Sequence, residues 1–202
     1  MKKKCFTGGV RVREELRNAL KNLSLAAMFL AIGLVLPFFT GQIPQVGSMM
    51  LPMHIPVLLC GLICGWKYGL MVGIVLPLLR SFLFGMPPLF PTAAAMAFEL
   101  ATYGLVSGYL YNHSKWKCII ALYRCLIAAM LVGRVVWGAV MVVFTGLSGS
   151  AFTWGLFLAG AFFNAIPGII LQLVFIPAMM VALDKTGLVR FHRNECRHKL
   201  KS

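Results

Sequence analysis

Five long apolar runs constrain this chain more than any other feature of its sequence. They cover residues 20–39, 67–84, 93–111, 118–144 and 155–183. A helix needs about 20 apolar residues to cross the hydrocarbon core of a bilayer, so each run predicts a transmembrane helix. The composition agrees, because 60% of the residues are hydrophobic and only 12% are charged, whereas soluble domains have about 25% charged residues. A water-soluble fold is therefore excluded.

A shorter apolar segment, residues 51–64, lies between the first two runs and contains two prolines. It is either a sixth, short or irregular span or a re-entrant loop. The basic residues favour the span, since seven lie within residues 2–21, six follow the last run, and Lys67, Lys115 and Lys117 lie in alternate connections. By the positive-inside rule both termini are cytoplasmic. The sequence thus predicts an all-α, multi-pass cell-membrane protein with six transmembrane helices, the second short or irregular.

The predicted organisation has three parts: a basic cytoplasmic tail over residues 1–19, a transmembrane domain over 20–185, and a second basic tail over 186–202. The formal net charge of +14 comes largely from the two tails. We expect these tails to set the topology and to contact anionic lipid head groups. Nucleic acid is not an expected partner, because the basic residues follow the predicted topology.

Three charged residues fall deep within the predicted spans, where a charge costs at least about 2.5 kcal/mol. From the helical rise, Arg80 lies about 18 Å and Arg134 about 24 Å from the inner surface, and Glu99 about 10 Å below the outer surface. All three share the outer half of the bilayer. They form either an ion pair that locks helices together or a cavity that binds an anionic or carboxylate-bearing solute, which arginine suits.

Uncharged polar residues in other spans extend this layer. His54 and Asn164 are the further candidates for substrate binding, with Thr102, Tyr103 and Gln172 as neighbours. Each such residue on its own also fits an interhelical hydrogen bond. Their convergence on one cavity is an expectation that a structure can test.

No enzyme constellation is present in the sequence. Ser148 lies in a Gly-x-Ser-Gly match without a histidine placed to act as its base. His192, Cys196 and His198 have no evident fourth metal ligand, and a Gly-rich phosphate-binding loop is missing. We therefore predict no catalytic activity, no metal and no cofactor.

Small residues recur at the spacing of close helix contacts. Ala27 and Ala31 form an Ala-x-x-x-Ala pair in the first run. Four glycines recur every four residues across the turn after the short segment: Gly61, Gly65, Gly69 and Gly73. Such patterns let helix backbones approach closely, and for the glycines we expect core packing.

The chain resembles the substrate-binding S components of the energy-coupling factor (ECF) transporters over residues 20–185. Four features carry the resemblance: the pair Ala27 and Ala31, the Leu-Pro-Met-His-Ile-Pro stretch at 51–56, the Cys-Gly-Trp-Lys-Tyr-Gly turn at 64–69, and the Pro-Leu-Leu-Arg-Ser segment that runs from 77 to Gly-Met-Pro-Pro at 85–88. Within the family, the proline-rich stretches are most similar to pantothenate-type members. Folate, which is also a carboxylate, and pyrimidine or corrinoid substrates remain open.

The resemblance implies a function. An S component captures a vitamin-like small molecule from outside and associates with a transmembrane coupling subunit and two cytoplasmic ATPases. Ala27 and Ala31 would face the coupling subunit. Two alternatives come from other classes: a non-transporting membrane scaffold whose buried charges lock helices, and an autonomous secondary transporter.

Overall fold

The computed structural model describes residues 4–39, 53–85, 87–114, 119–147 and 166–185. These residues form helices throughout and no strand. The helices are α1 (Lys4–Phe39), α2 (His54–Cys64), α3 (Trp66–Phe84), α4 (Ala94–His113), α5 (Ile119–Leu147) and α6 (Ile166–Lys185), and a π-helical turn (Leu89–Ala93) precedes α4. The expected all-helical membrane fold is confirmed, with five helices long and apolar enough to span a bilayer and one short apolar helix.

Helix α1 begins far earlier than the apolar run predicts. Its 36 residues correspond to about 54 Å, well beyond the roughly 30 Å of a hydrocarbon core. Hydropathy indicates which residues can lie in the lipid, whereas a helix continues for as long as its backbone hydrogen bonds form. Residues 4–19 of the predicted tail are therefore helical.

The short helix α2 occupies the centre of the bundle. All of its residues except Ile63 are buried, as expected of a helix that is apolar on every side. Its 11 residues extend about 16 Å, too short to cross a bilayer alone. It packs against α1, α3, α4 and α6, so it forms the core around which the longer helices gather.

Contacts between the helices establish their directions. Tyr68 donates a hydrogen bond to the Ala19 carbonyl oxygen at 3.4 Å, and Phe38 packs edge-on against Phe84 with ring centroids 4.8 Å apart. Helices α1 and α3 therefore run parallel.

Glycines hold α2, α3 and α4 together. A Cβ atom on Gly69 would lie 2.7 Å from Cα of Gly61 and 2.8 Å from the carbonyl oxygen of Gly104. Gly73 approaches the backbone of Leu100 in the same way. The predicted packing role is confirmed for Gly61, Gly69 and Gly73.

Gly65, the remaining member of the four-residue glycine repeat, has another role. It has open space around it and a φ of 98°, a backbone conformation that glycine adopts without a steric penalty. It forms the sharp turn between α2 and α3.

Candidate functional site

A buried polar cluster joins α2, α4 and α5. Glu99, one turn into α4, is only 1% exposed. Its Oε1 atom lies 3.2 Å from Nη1 of Arg134 on α5 and 3.6 Å from Nε2 of His54, the first residue of α2. The hydroxyl of Tyr103 donates a hydrogen bond to the same oxygen at 2.9 Å. We call these four residues the Glu99 cluster.

Local sequence explains how the cluster is assembled. Glu99 and Tyr103 are four residues apart on α4, so they share one face of that helix. Gly133 lies against the Tyr103 ring, where any Cβ would overlap it, and this close approach brings the adjacent Arg134 to the carboxylate. The ring of His54 is tilted beside that of Tyr103, with centroids 5.2 Å apart. Aromatic packing thus positions the charged groups.

The cluster has more hydrogen-bond donors than its protein acceptors use. Within the described ranges, Nε and Nη2 of Arg134 and both ring nitrogens of His54 are buried without a hydrogen-bond partner. A buried donor left unsatisfied costs about 1–3 kcal/mol. The arrangement therefore suits an additional acceptor such as a carboxylate, which a guanidinium binds through two parallel hydrogen bonds.

The structure brings together three of the five predicted substrate-binding residues. Glu99, Arg134 and His54 meet in the cluster. Arg80 is half-buried on α3, and in the part of the chain that is described it is not among the groups that contact the Glu99 carboxylate. Asn164 lies outside the described residues.

Tyr103 was not predicted as a site residue, although its spacing from Glu99 could have identified it. Gln172 on α6 is 1% exposed, and its Nε2 atom is also buried without a partner among the described residues. The sequence marked Gln172 as a polar residue of the last span, and the structure confirms that it is buried. It is a further amide donor in the bundle interior.

Ala27 and Ala31 are both exposed on α1, whereas Ala26, Phe29 and Gly33 are buried against the bundle. The alanine pair therefore lies on the face of α1 that points away from the protein core.

Residues 21–180 of the chain match the family of ECF transporter substrate-specific components. The chain belongs to this family. No curated protein and no solved structure matches it. As an ECF substrate-specific component, it is a transport subunit rather than an enzyme, and its small-molecule substrate and transporter partners follow from that membership. The Glu99 cluster lies within the matched residues, as do Ala27 and Ala31.

Proposed function

We propose that this ECF substrate-specific component captures a small anionic micronutrient, pantothenate-like in chemistry, at the Glu99 cluster. The buried guanidinium donors of Arg134 are the observation that carries the proposal. Glu99 occupies one nitrogen of the guanidinium and leaves Nε and Nη2 without a protein acceptor among the described residues. A ligand carboxylate would supply that acceptor.

The position of the cluster supports capture from outside. His54 begins α2, and Glu99 lies near the start of α4, so both are close to the end of the bundle where α1 and α3 finish. By the positive-inside argument this end faces outward. Asn164 belongs to the same proposed site, since the last predicted span begins at that end.

The competing function is a helix lock without a ligand. The Glu99–Arg134 pair alone would join α4 to α5 and would serve a scaffold equally well. A buried ion pair is weak evidence for stabilisation, however, because removing two charges from water costs several kcal/mol per ion. The unsatisfied donors favour the binding function over the lock.

Coupling to an ATP-driven partner rests on the exposed face of α1. Ala27 and Ala31 present small side chains four residues apart on the surface, which would let a partner helix approach closely. We propose that this face meets the transmembrane coupling subunit, which carries the two ATPases. The subunit would then be a multi-pass protein of the cell membrane with both termini cytoplasmic.

Mass spectrometry of small molecules released from the purified protein tests the proposed substrate class. We expect a carboxylate-bearing compound of vitamin size at near-stoichiometric amount, and saturable binding of pantothenate by calorimetry. Release of a neutral or cationic compound would contradict the anion site. Protein that binds no small molecule, yet loses stability when Glu99 is replaced, would support the scaffold.

A further inference from the structure

A cavity opens at the end of the bundle opposite the Glu99 cluster. It has a volume of about 350 Å³ and lies between α1, the turn from α2 to α3, and the end of α4. Asn112, in its wall, follows Glu99 by 13 residues on the same helix, which places it about 20 Å away along the axis. The volume is at the lower end of the range for small-molecule pockets. We call it the terminal cavity.

The lining of the terminal cavity is suited to an anion. Its lining includes a lysine, two asparagines and two tyrosines, namely Lys67, Asn22, Asn112, Tyr68 and Tyr111, and no acidic residue is among the lining residues in the described part of the chain. Gly65 and Trp66, where α3 begins, also line it, and the first turn of a helix favours negative charge. A cation, amide donors and hydroxyls together are the groups that bind phosphate oxygens.

The rim of the terminal cavity has the composition of a membrane interface. Trp66 and Tyr68 flank Lys67, and aromatic residues of this kind concentrate at head-group level. Nζ of Lys67 lies 5.7 Å from the centroid of the Trp66 ring, which keeps the ammonium at the rim. On α1, Arg17 and Lys21 are exposed just before Asn22 and add positive charge beside the opening.

One acidic residue lies near the cavity without lining it. Asp184, at the end of α6, interacts electrostatically with Tyr111. Its negative charge would repel an anionic ligand and attract a cationic one. Replacing Asp184 therefore tests the sign of the ligand's charge. Lys67 and Asp184 should have opposite effects on an anionic ligand.

We propose that the terminal cavity binds a phosphate group, carried either by the head group of an anionic phospholipid or by a soluble phosphate compound. Lys67 is its cationic anchor, and Asn22 and Asn112 donate hydrogen bonds to its oxygens. The site is separate from the Glu99 cluster and does not depend on the proposed substrate. It would hold an anionic group between α1 and the turn that joins α2 to α3.

The test compares phospholipid retention in native mass spectra of the full-length protein, taken from nanodiscs that contain phosphatidylcholine and phosphatidylglycerol. We expect one retained phosphatidylglycerol per protein. Lys67→Gln should weaken its retention by about tenfold, the lower end of the effect of a lost charged hydrogen bond. Asp184→Asn should strengthen it. Arg124→Gln, which removes an exposed charge near the start of α5, is the matched control and should retain the lipid as the wild type does.

Competition with inorganic phosphate distinguishes the two sources. Retention that millimolar phosphate does not displace identifies a lipid head group, and displacement identifies a soluble phosphate compound; either result supports the site. Unchanged retention in Lys67→Gln, or an equal loss in Lys67→Gln and Arg124→Gln, would overturn the proposal. Pantothenate binding and the melting temperature of Lys67→Gln should stay at wild-type values, since Lys67 is exposed and distant from the Glu99 cluster.

Discussion

Along α4, the turn that carries Glu99 and the turn that carries Gly104 contact their neighbours in different ways. Around Gly104, backbone meets backbone, and a Cβ on the facing Gly69 would lie 2.8 Å from the Gly104 carbonyl oxygen. Around Glu99, long side chains reach across from α2 and α5, and buried donors remain without partners in the described part of the chain. We call the part of α4 around Gly104 the glycine half and the part around Glu99 the polar half. The glycine half can pack in one way only, whereas the polar half can rearrange its hydrogen bonds when a ligand enters.

This difference indicates that the two parts of α4 have different roles. Backbone contacts between glycines are short and have no side-chain freedom, so they fix the relative positions of α2, α3 and α4. The polar half attaches α5 through an ion pair and a tyrosine ring. We infer that α2, α3 and α4 form a constant unit on which the substrate site is built.

The largest effect should follow from adding bulk to the glycine half. Gly104→Leu places a side chain where the backbone of Gly69 already lies, and a backbone cannot move aside as a flexible side chain can. We expect a loss of at least about 3 kcal/mol in the free energy of unfolding and little monodisperse protein in size-exclusion chromatography. Gly146→Leu is the control, because Gly146 on α5 has open space around it. A Gly104→Leu protein that melts like the wild type would refute the packing role.

Bulk on the exposed face of α1 should affect coupling instead. Ala27→Trp and Ala31→Trp add rings to the exposed side of α1, so we expect transport in cells to fall to background while substrate binding to purified protein is nearly unchanged. Val174→Trp, on an exposed position of α6, is the control for a ring that points away from the bundle. Equal losses of binding and transport would instead place the two alanines in the protein's own core.

In the polar half, removing the guanidinium should weaken substrate binding. Arg134→Gln keeps the size and polarity of the side chain but removes its charge, and we expect the dissociation constant for pantothenate to rise by about 10- to 100-fold, as for the loss of a charged hydrogen bond. Calorimetry measures this change. Arg80→Gln should have a smaller effect, because Arg80 does not contact the Glu99 carboxylate, and Arg124→Gln should have none. Equal affinities in Arg134→Gln and the wild type would remove Arg134 from the site.

Sequence reasoning predicted the depth of the buried charges but not their directions. The rise per residue gives a position along the helix axis, which correctly placed Arg134 and Glu99 in one layer. It says nothing about the direction in which a side chain points, so the place of Arg80 in the site stays a prediction. His54 lies beside Glu99, so its predicted convergence on the buried charges is observed, whereas its role in substrate binding stays a prediction.

The parts of the fold that could not be predicted from the sequence depend on contacts between helices. The length of α1 could not be read from hydropathy, since its first turns are polar and still helical. The glycine repeat predicted close packing, but only the structure identifies Gly104 of α4 as its main partner. Gly133 carries no pattern of its own, and its importance arises solely from the Tyr103 ring that lies against it.

The smallest effects should distinguish the two candidate roles of the Glu99–Arg134 pair, a helix lock and a part of the anion-binding site. Glu99→Gln leaves the guanidinium buried without its counterion, so we expect a lower melting temperature, whereas the affinity for an anion should fall less than in Arg134→Gln because the site becomes more positive. In the double variant, Glu99→Gln with Arg134→Gln, stability should partly recover, with a coupling free energy of about 0.5–3 kcal/mol, but affinity should not. Thermal unfolding and calorimetry on the two single variants and the double variant measure both quantities. If stability recovers in the double variant and affinity is the same in all three, the pair is a helix lock, and the anion site must lie elsewhere in the bundle.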